Sequence, residues 1–241
     1  MLIKTRAIVL HSIKFGESQY IVDMFVEETG RVAFIQKVLP SGRGKIRKQL
    51  FQPLSLLDIE FDLRPKVRLQ RLKEARLLVP YATIPFDPYK LSLTIFVAEF
   101  LLHVTRNEQQ NKPLFEYVAA SLQWLDGCER SFSNFHLVFM MRLSLFVGFF
   151  PNLDKAGDGV FFDFRAGCFV RQQPLHPDFL PPADAARLRV LMRMTFDNMH
   201  LFVMSRVERN LCVDFILKYY RLHFPDFPEM KSLDVMKSLF A

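Results

Sequence analysis

Cysteine is scarce in this chain: three in 241 residues, Cys128, Cys168 and Cys212. An odd number with no paired spacing argues against a disulfide framework and for a reducing compartment. Long apolar runs are missing too. The longest, Phe135 to Phe150, contains His136 and Arg142 and falls short of the roughly 20 residues needed to span a bilayer. The N-terminus, MLIKTRAIVLHSIKFGES, has too short an apolar core and no small-residue cleavage site for a secretory signal. A soluble cytoplasmic protein is expected. G-x-S-x-G, H-E-x-x-H and C-x-x-C are all absent. The six histidines are scattered, and His103 and His136 fall in helical stretches that suit core or boundary positions. No converging acid and base set is visible, so no enzyme activity is expected.

What is abundant is phenylalanine, 26 residues against one tryptophan. Phe fills a core without needing a polar partner. Charge is abundant but uneven. Residues 1–80 hold fifteen Lys and Arg against eight Asp and Glu, while residues 81–241 hold seventeen of each. The whole excess of +7 therefore lies in the first third. Such asymmetry suggests that one part meets a polyanion and the other does not.

The excess is densest in residues 31–50, RVAFIQKVLPSGRGKIRKQL. A strand there ends at Pro40-Ser41-Gly42, and Arg43, Lys45, Arg47 and Lys48 follow. Four cations within six residues repel one another unless water or an anion screens them. A solvated loop and a phosphate-binding loop both fit. Gly42-Arg43-Gly44-Lys45 is not a nucleotide-phosphate loop: Leu39 stands where its first glycine belongs, and Ile46 replaces the magnesium-binding Ser or Thr.

Period-2 alternation predicts strands at 2–14, 19–26, 31–38, 54–63 and 66–72. In the fourth, Leu57, Ile59, Phe61 and Leu63 share one face and Asp58, Glu60 and Asp62 the other. Alternating carboxylates of this kind are a solvent face far more often than a metal site. In the fifth, Lys66, Arg68 and Gln70 are expected outward and Val67 and Leu69 inward. Five short strands with a long basic loop predict an OB-fold barrel. Phe15, Tyr20, Phe34 and Phe51 lie in it, with at most one expected to be exposed.

Pro80, Pro85 and Pro88 mark the boundary, with one domain expected over 1–80 and a mainly helical one over 81–241. Helices are predicted at 88–105 (Leu91, Ile95, Phe96, Glu99 and Leu102 at helix spacing), from an Asn111 cap to about Asp126, and at 131–149, 183–196, 205–223 and 231–239. Residues 160–171 read as a small hairpin turning at Arg165-Ala166-Gly167. The fold class expected is α+β.

Several motifs then converge. Ala7-Ile8-Val9-Leu10, Gly16-Glu17-Ser18, Glu28-Thr29-Gly30-Arg31-Val32, Lys37 before a basic loop, and Leu50-Phe51-Gln52-Pro53-Leu54 closely resemble the start of the RecO family of bacterial DNA repair and recombination mediators. Ser205-Arg206 opening a helix and the late Lys231-Ser232-Leu233 resemble its C-terminal pattern. The resemblance implies an OB-fold followed by a helical domain, and no catalysis. It implies binding of single- and double-stranded DNA, strand annealing, and a complex with RecR that helps load RecA on strands coated by the single-strand-binding protein SSB. It also implies docking of the acidic, apolar SSB tail on the helical domain. Many members bind zinc through four paired cysteines. Here Cys168 stands alone in the equivalent hairpin, with Asp154 and Asp158 among the replacements. One thiolate cannot make a tetrahedral zinc site, so no zinc or other cofactor is expected. Val38 replaces the glycine that usually follows the barrel lysine.

The expected DNA contacts are Lys37, Arg43, Lys45, Arg47 and Lys48, with Arg68 and Arg71. Arg142 and Arg206, near apolar helix faces, are the candidates for pairing with a partner's terminal carboxylate. An OB-fold RNA-binding or ribosome-associated factor is the alternative, because the same cations would serve it.

Overall fold

A computed structural model of the chain describes residues 1–38, 46–224 and 226–239. The chain forms two compact units. The first is Met1–Gly127 with Met230–Met236, and the second is Cys128–Glu229 with the residues from Lys237.

Alternating sequence makes the first unit a barrel. Strands β1 (Leu2–Phe15), β2 (Gln19–Val26), β3 (Gly30–Lys37), β4 (Leu56–Asp62), β5 (Leu69–Gln70) and β6 (Leu72–Leu77) form one sheet in the order β5-β3-β2-β1-β4-β6. β5 and β6 are one strand interrupted at Arg71. β5 runs parallel to β3 and β6 antiparallel to β4, so a single stretch of chain ties both ends of the sheet together. The result is the OB-fold, with its fifth strand divided. Ile3, Val9, Val22, Met24, Phe34, Leu57, Ile59 and Phe61 fill the interior, each contributing about 1.5–3 kcal/mol by leaving water. Phe34 and Phe61 meet edge to face at 5.1 Å. Val38 also packs there, and its N–H donates to the Ser18 carbonyl at 2.8 Å.

Two expectations need correction. The fifth strand begins later than residue 66 and has the opposite facing: Gln70 and Leu72 are buried and Val67 is exposed. Gln70 can be buried because its amide is satisfied, with Nε2 donating to the Val67 and Arg64 carbonyls and Oε1 accepting from the Arg64 N–H. In helix α1 (Pro88–Val104) the buried side is Leu93, Phe96, Val97, Phe100, Leu101 and Val104, while Leu91 and Ile95 are exposed. The helix is apolar nearly all round, so periodicity alone could not choose the face.

Strand β1 carries a bulge between Val9 and His11. Up to Val9 the odd-numbered residues point inward. Beyond the bulge Ser12 pairs with buried Val22, so Ile13 and Phe15 point outward.

Helices α1 and α2 (Lys112–Gly127) complete this unit. Asp87 caps α1 by accepting from the Tyr89 and Lys90 N–H groups, with Pro88 in the first turn. The Asp126 carboxylate accepts N–H donors from Ala82, Thr83 and Ile84 at 2.8–2.9 Å, pinning the segment that joins barrel to helices. Gly30 (φ +77°) turns β2 into β3 where a Cβ would overlap the Glu108 and Gln109 backbone, and the Arg31 N–H donates to the Glu108 carbonyl. Only glycine meets both demands.

The second unit is built on phenylalanine. Helix α3 (Phe135–Phe146) is buried nearly all round. Strands β7 (Phe161–Asp163), β8 (Cys168–Val170) and β9 (Phe179–Leu180) form a small sheet, whose Phe162 contacts Phe164, Phe169 and Tyr219 at 5.0–5.9 Å. Helices α4 (Pro182–Arg193) and α5 (Arg206–His223) pack on α3. Ser205 and Glu208 form a capping box at the start of α5. Tyr219 and Tyr220 donate to the Phe149 and Met140 carbonyls, each at 2.7 Å. The short helix α6 (Leu233–Ser238) ends the described chain, and the Glu99 carboxylate accepts from the Lys231 and Ser232 N–H groups just before it.

Candidate nucleic-acid interface

Outward residues of the barrel fall into three sectors. Around Ile8, Phe25 and Leu56 the surface is covered: α1 lies on β1, and Phe25 meets Phe115 of α2 at 5.9 Å. Arg6 seals this sector, with Nε and Nη2 donating to Glu27 at 2.8 and 2.6 Å, a further bond to Glu116, and its guanidinium 5.2 Å from the Phe115 ring centre. The Arg6 bond holds the Glu27 carboxyl below its ordinary range, against the opposing effect of burial.

A second sector, on β1, β4 and β6, is charged and neutralised in place. Lys4 pairs with Glu60 at 2.9 Å, Arg76 with Asp58 at 2.5 Å and Lys73 with Asp62 at 2.8 Å. The carboxylates of β4 are thus a solvent face matched by cations from its two neighbours.

The third sector is open. Cross-strand register aligns Ile13, Ile21 and Ile35 in one outward row and Phe15, Gln19 and Lys37 in the next. Ile13 is 45% exposed and Phe15 53%. Ile35 continues into a groove of about 470 Å³ that Val67, Leu69, Arg64 and Arg71 also line. At the barrel's end Lys14 faces Tyr20 across the β1–β2 ladder, and the Lys48 ammonium sits 5.7 Å from the Tyr20 ring centre. Ile46, Phe51 and, in part, Leu50 pack into the barrel core. The short 3-10 turn Lys48–Phe51 therefore leaves Arg47 and Lys48 outside. Glu17, in the adjoining turn, is also exposed.

Of the seven cations expected from sequence, Lys37, Arg47, Lys48 and Arg71 ring this open sector. Arg68 is exposed just before β5 and lies outside the groove wall. Arg43 and Lys45 lie outside the described residues. Among the described residues, none of these five is ion-paired. Sequence reasoning missed Lys14, Arg64 and the outward isoleucines. Adjacent apolar residues in the strands, Ile21-Val22 and Phe34-Ile35, are the signal that both faces of β2 and β3 carry apolar groups. Of the four barrel aromatics, Phe34 and Phe51 are buried, Tyr20 is half-buried and Phe15 is exposed.

In the second unit, Arg142 donates from Nε to the Met194 carbonyl at the end of α4. Arg206 is exposed in the first turn of α5, beside exposed Val203 and Val207. A small groove of about 190 Å³ is lined by Val190, Phe202, Val203, Met204 and Cys212 with Arg187 and Glu208, and Arg206 is not among its lining residues. Cys168 faces Asp163 across the β7–β8 ladder. Asp154 is bonded to Asn152, and Asp158 pairs with Arg189. Among the described residues no group of three or more His, Cys, Asp or Glu is placed to hold a metal, and no helix is long and apolar enough to cross a membrane.

Known proteins match over the whole chain. A family model described as Recombination protein O N terminal matches residues 1–81, and one described as Recombination protein O C terminal matches residues 85–233. A protein of Phocaeicola vulgatus named DNA repair protein RecO is 50% identical over 241 residues, covering all of both chains. Proteins of the same name from Bacteroides fragilis and Porphyromonas gingivalis are 48% and 36% identical, again end to end.

Proposed function

The chain belongs to the RecO family of DNA repair proteins, and on that premise we propose that it is a recombination mediator with no chemical step of its own. The open barrel sector holds single- and double-stranded DNA through Lys37, Arg47, Lys48 and Arg71, joined by Arg43, Lys45 and Arg68. The observation that carries this reading is the contrast in pairing. Among the described residues Lys37, Arg47, Lys48 and Arg71 lack carboxylate partners, whereas Lys4 of β1 and Lys73 and Arg76 of β6 have them. The unpaired cations can neutralise phosphates and release the counterions condensed on the DNA, so binding is sequence-independent and steeply salt-dependent. Two strands held in one screened field anneal more readily. With RecR, the protein then helps RecA load on SSB-coated DNA.

The SSB tail, acidic and apolar, suits the surface at the start of α5, where exposed Arg206 neighbours exposed Val203 and Val207. Arg206 is the better placed of the two candidate arginines, because Arg142 already serves the Met194 carbonyl. We also read the hairpin as one that needs no zinc. A lone thiol, with Asp154 and Asp158 committed elsewhere, does not fit the ion, and the phenylalanines around Phe162 supply the cohesion.

The test is fluorescence polarisation of a labelled single-stranded DNA across a salt series. Changing Lys37, Arg43, Lys45, Arg47 and Lys48 to Ala should weaken binding more than about tenfold and flatten the salt slope by about 0.7 for each phosphate that is no longer neutralised. Unchanged binding would overturn the reading. A wild-type preference for structured RNA, with no annealing of DNA, would move the protein to the RNA-binding alternative.

A further inference from the structure

We propose that Phe15, with outward Ile13, Ile21 and Ile35, is a base-contacting platform that makes the open sector selective for unpaired strands. This rests on the reading that the surrounding cations hold DNA. The β1 bulge and the ladder register put these four side chains on one outer surface, where Phe15 and Ile13 are about half exposed. An exposed Phe beside three outward isoleucines costs solubility unless something covers it.

Charge identifies the occupant. Lys37 lies in the same cross-strand row as Phe15. Arg71 and Arg64 border Ile35 across the groove, and Lys14 and Lys48 stand at the barrel's end around Tyr20. Cations therefore flank an apolar centre, matching a strand whose phosphates run along its sides and whose bases turn inward. A second copy of this surface would bring the cations against one another. A duplex hides its base faces and can use the cations alone. Base–aromatic stacking is tolerant of sequence, so selectivity would be for strandedness and not for particular bases.

The closing experiment measures the full-length protein with a pyrimidine single strand and with a blunt duplex of equal length, at one salt concentration. Because Phe15 is exposed, Phe15→Ala should leave folding intact. It should weaken single-strand binding about tenfold and leave duplex binding within about twofold. Phe15→Tyr should retain the wild-type ratio. Phe15→Trp adds a reporter whose emission should fall on adding single strand and not on adding duplex. Equal loss on both substrates, or no loss on either, would overturn the platform. Weakened binding of both substrates when Lys37, Arg47 and Lys48 become Ala, with the strand selectivity of Phe15→Ala tested separately, keeps failure of the phosphate reading distinct from failure of the platform.

Discussion

The two sides of the barrel are built from the same strand yet have opposite electrostatic fates. The first half of β1 ladders with β4, where Lys4, Arg76 and Lys73 meet Glu60, Asp58 and Asp62. The second half ladders with β2, where Lys37 shares an outer row with Phe15 beside the isoleucines, and Lys14 and Lys48 stand by Tyr20 at the barrel's end. Cation number does not separate the sides; the position of the acids does. A cation with a neighbouring carboxylate has its counterion built in and gains little from a phosphate. A cation without one is available to neutralise a phosphate and so release a counterion from the nucleic acid. Charge counts by segment locate the basic domain, and only cross-strand pairing tells which part of it is available.

The largest effect should come from reversing the open side. Lys37→Glu with Arg47→Glu and Lys48→Glu should lower affinity for single strands more than about a hundredfold at low salt, measured by polarisation. The same reversal at Lys4 and Arg76 should change it several times less. If both sides respond alike, the distinction fails.

Next comes the covered sector. Arg6→Ala leaves Glu27, whose side chain is only 8% exposed, without its main partner and with Lys112 at 3.7 Å as the remaining cation. Stability should fall by about 2 kcal/mol in urea unfolding, less than for a fully buried pair because Arg6 itself is one-third exposed. The pH dependence follows. Glu27 is held low chiefly by Arg6. Asp126 is held low because the Ile84, Ala82 and Thr83 N–H groups outweigh the burial that would raise it. Carboxyls depressed in the folded state stabilise fully above their unfolded values near about 4, and that contribution disappears as pH falls through the folded values. Circular dichroism should show stability dropping below about pH 4, with a shallower drop in Arg6→Ala.

A smaller effect sharpens the comparison from the other direction. Asp58→Asn with Glu60→Gln frees Lys4 and Arg76, and duplex affinity should rise a few-fold with a salt slope steeper by about 1–2. The smallest is Arg76→Ala alone. Its side chain is 80% exposed, so thermal or urea unfolding should move by no more than about 0.5 kcal/mol.

Much of this architecture was legible in the residues. Alternation located the first four strands, proline and asparagine marked the helix starts, and the charge excess pointed to the barrel. The open surface was harder to see. In β1 the apolar Ile13 and Phe15 share the odd positions of Ile3, Ala7 and Val9, so unbroken alternation sends them inward. The bulge reverses them, and a bulge leaves no mark in periodicity. α1 hid its buried face for a related reason, since apolar residues surround it. Arg6–Glu27 and the β4 ion pairs join residues far apart in sequence, which only the ladder register brings together.

The extra residue at Leu10 makes β1 a strand with two readable frames. Point substitutions change this surface one side chain at a time. Loss of the single codon for Leu10 would leave Val9, His11 and Ser12 opposite Met24, Asp23 and Val22 in an unbroken ladder, with Ser12 still inward and Ile13 and Phe15 still outward. The bulge thus lets one strand turn its odd-numbered residues inward up to Val9 and its even-numbered ones inward from Ser12, so that each half meets its own neighbour in frame.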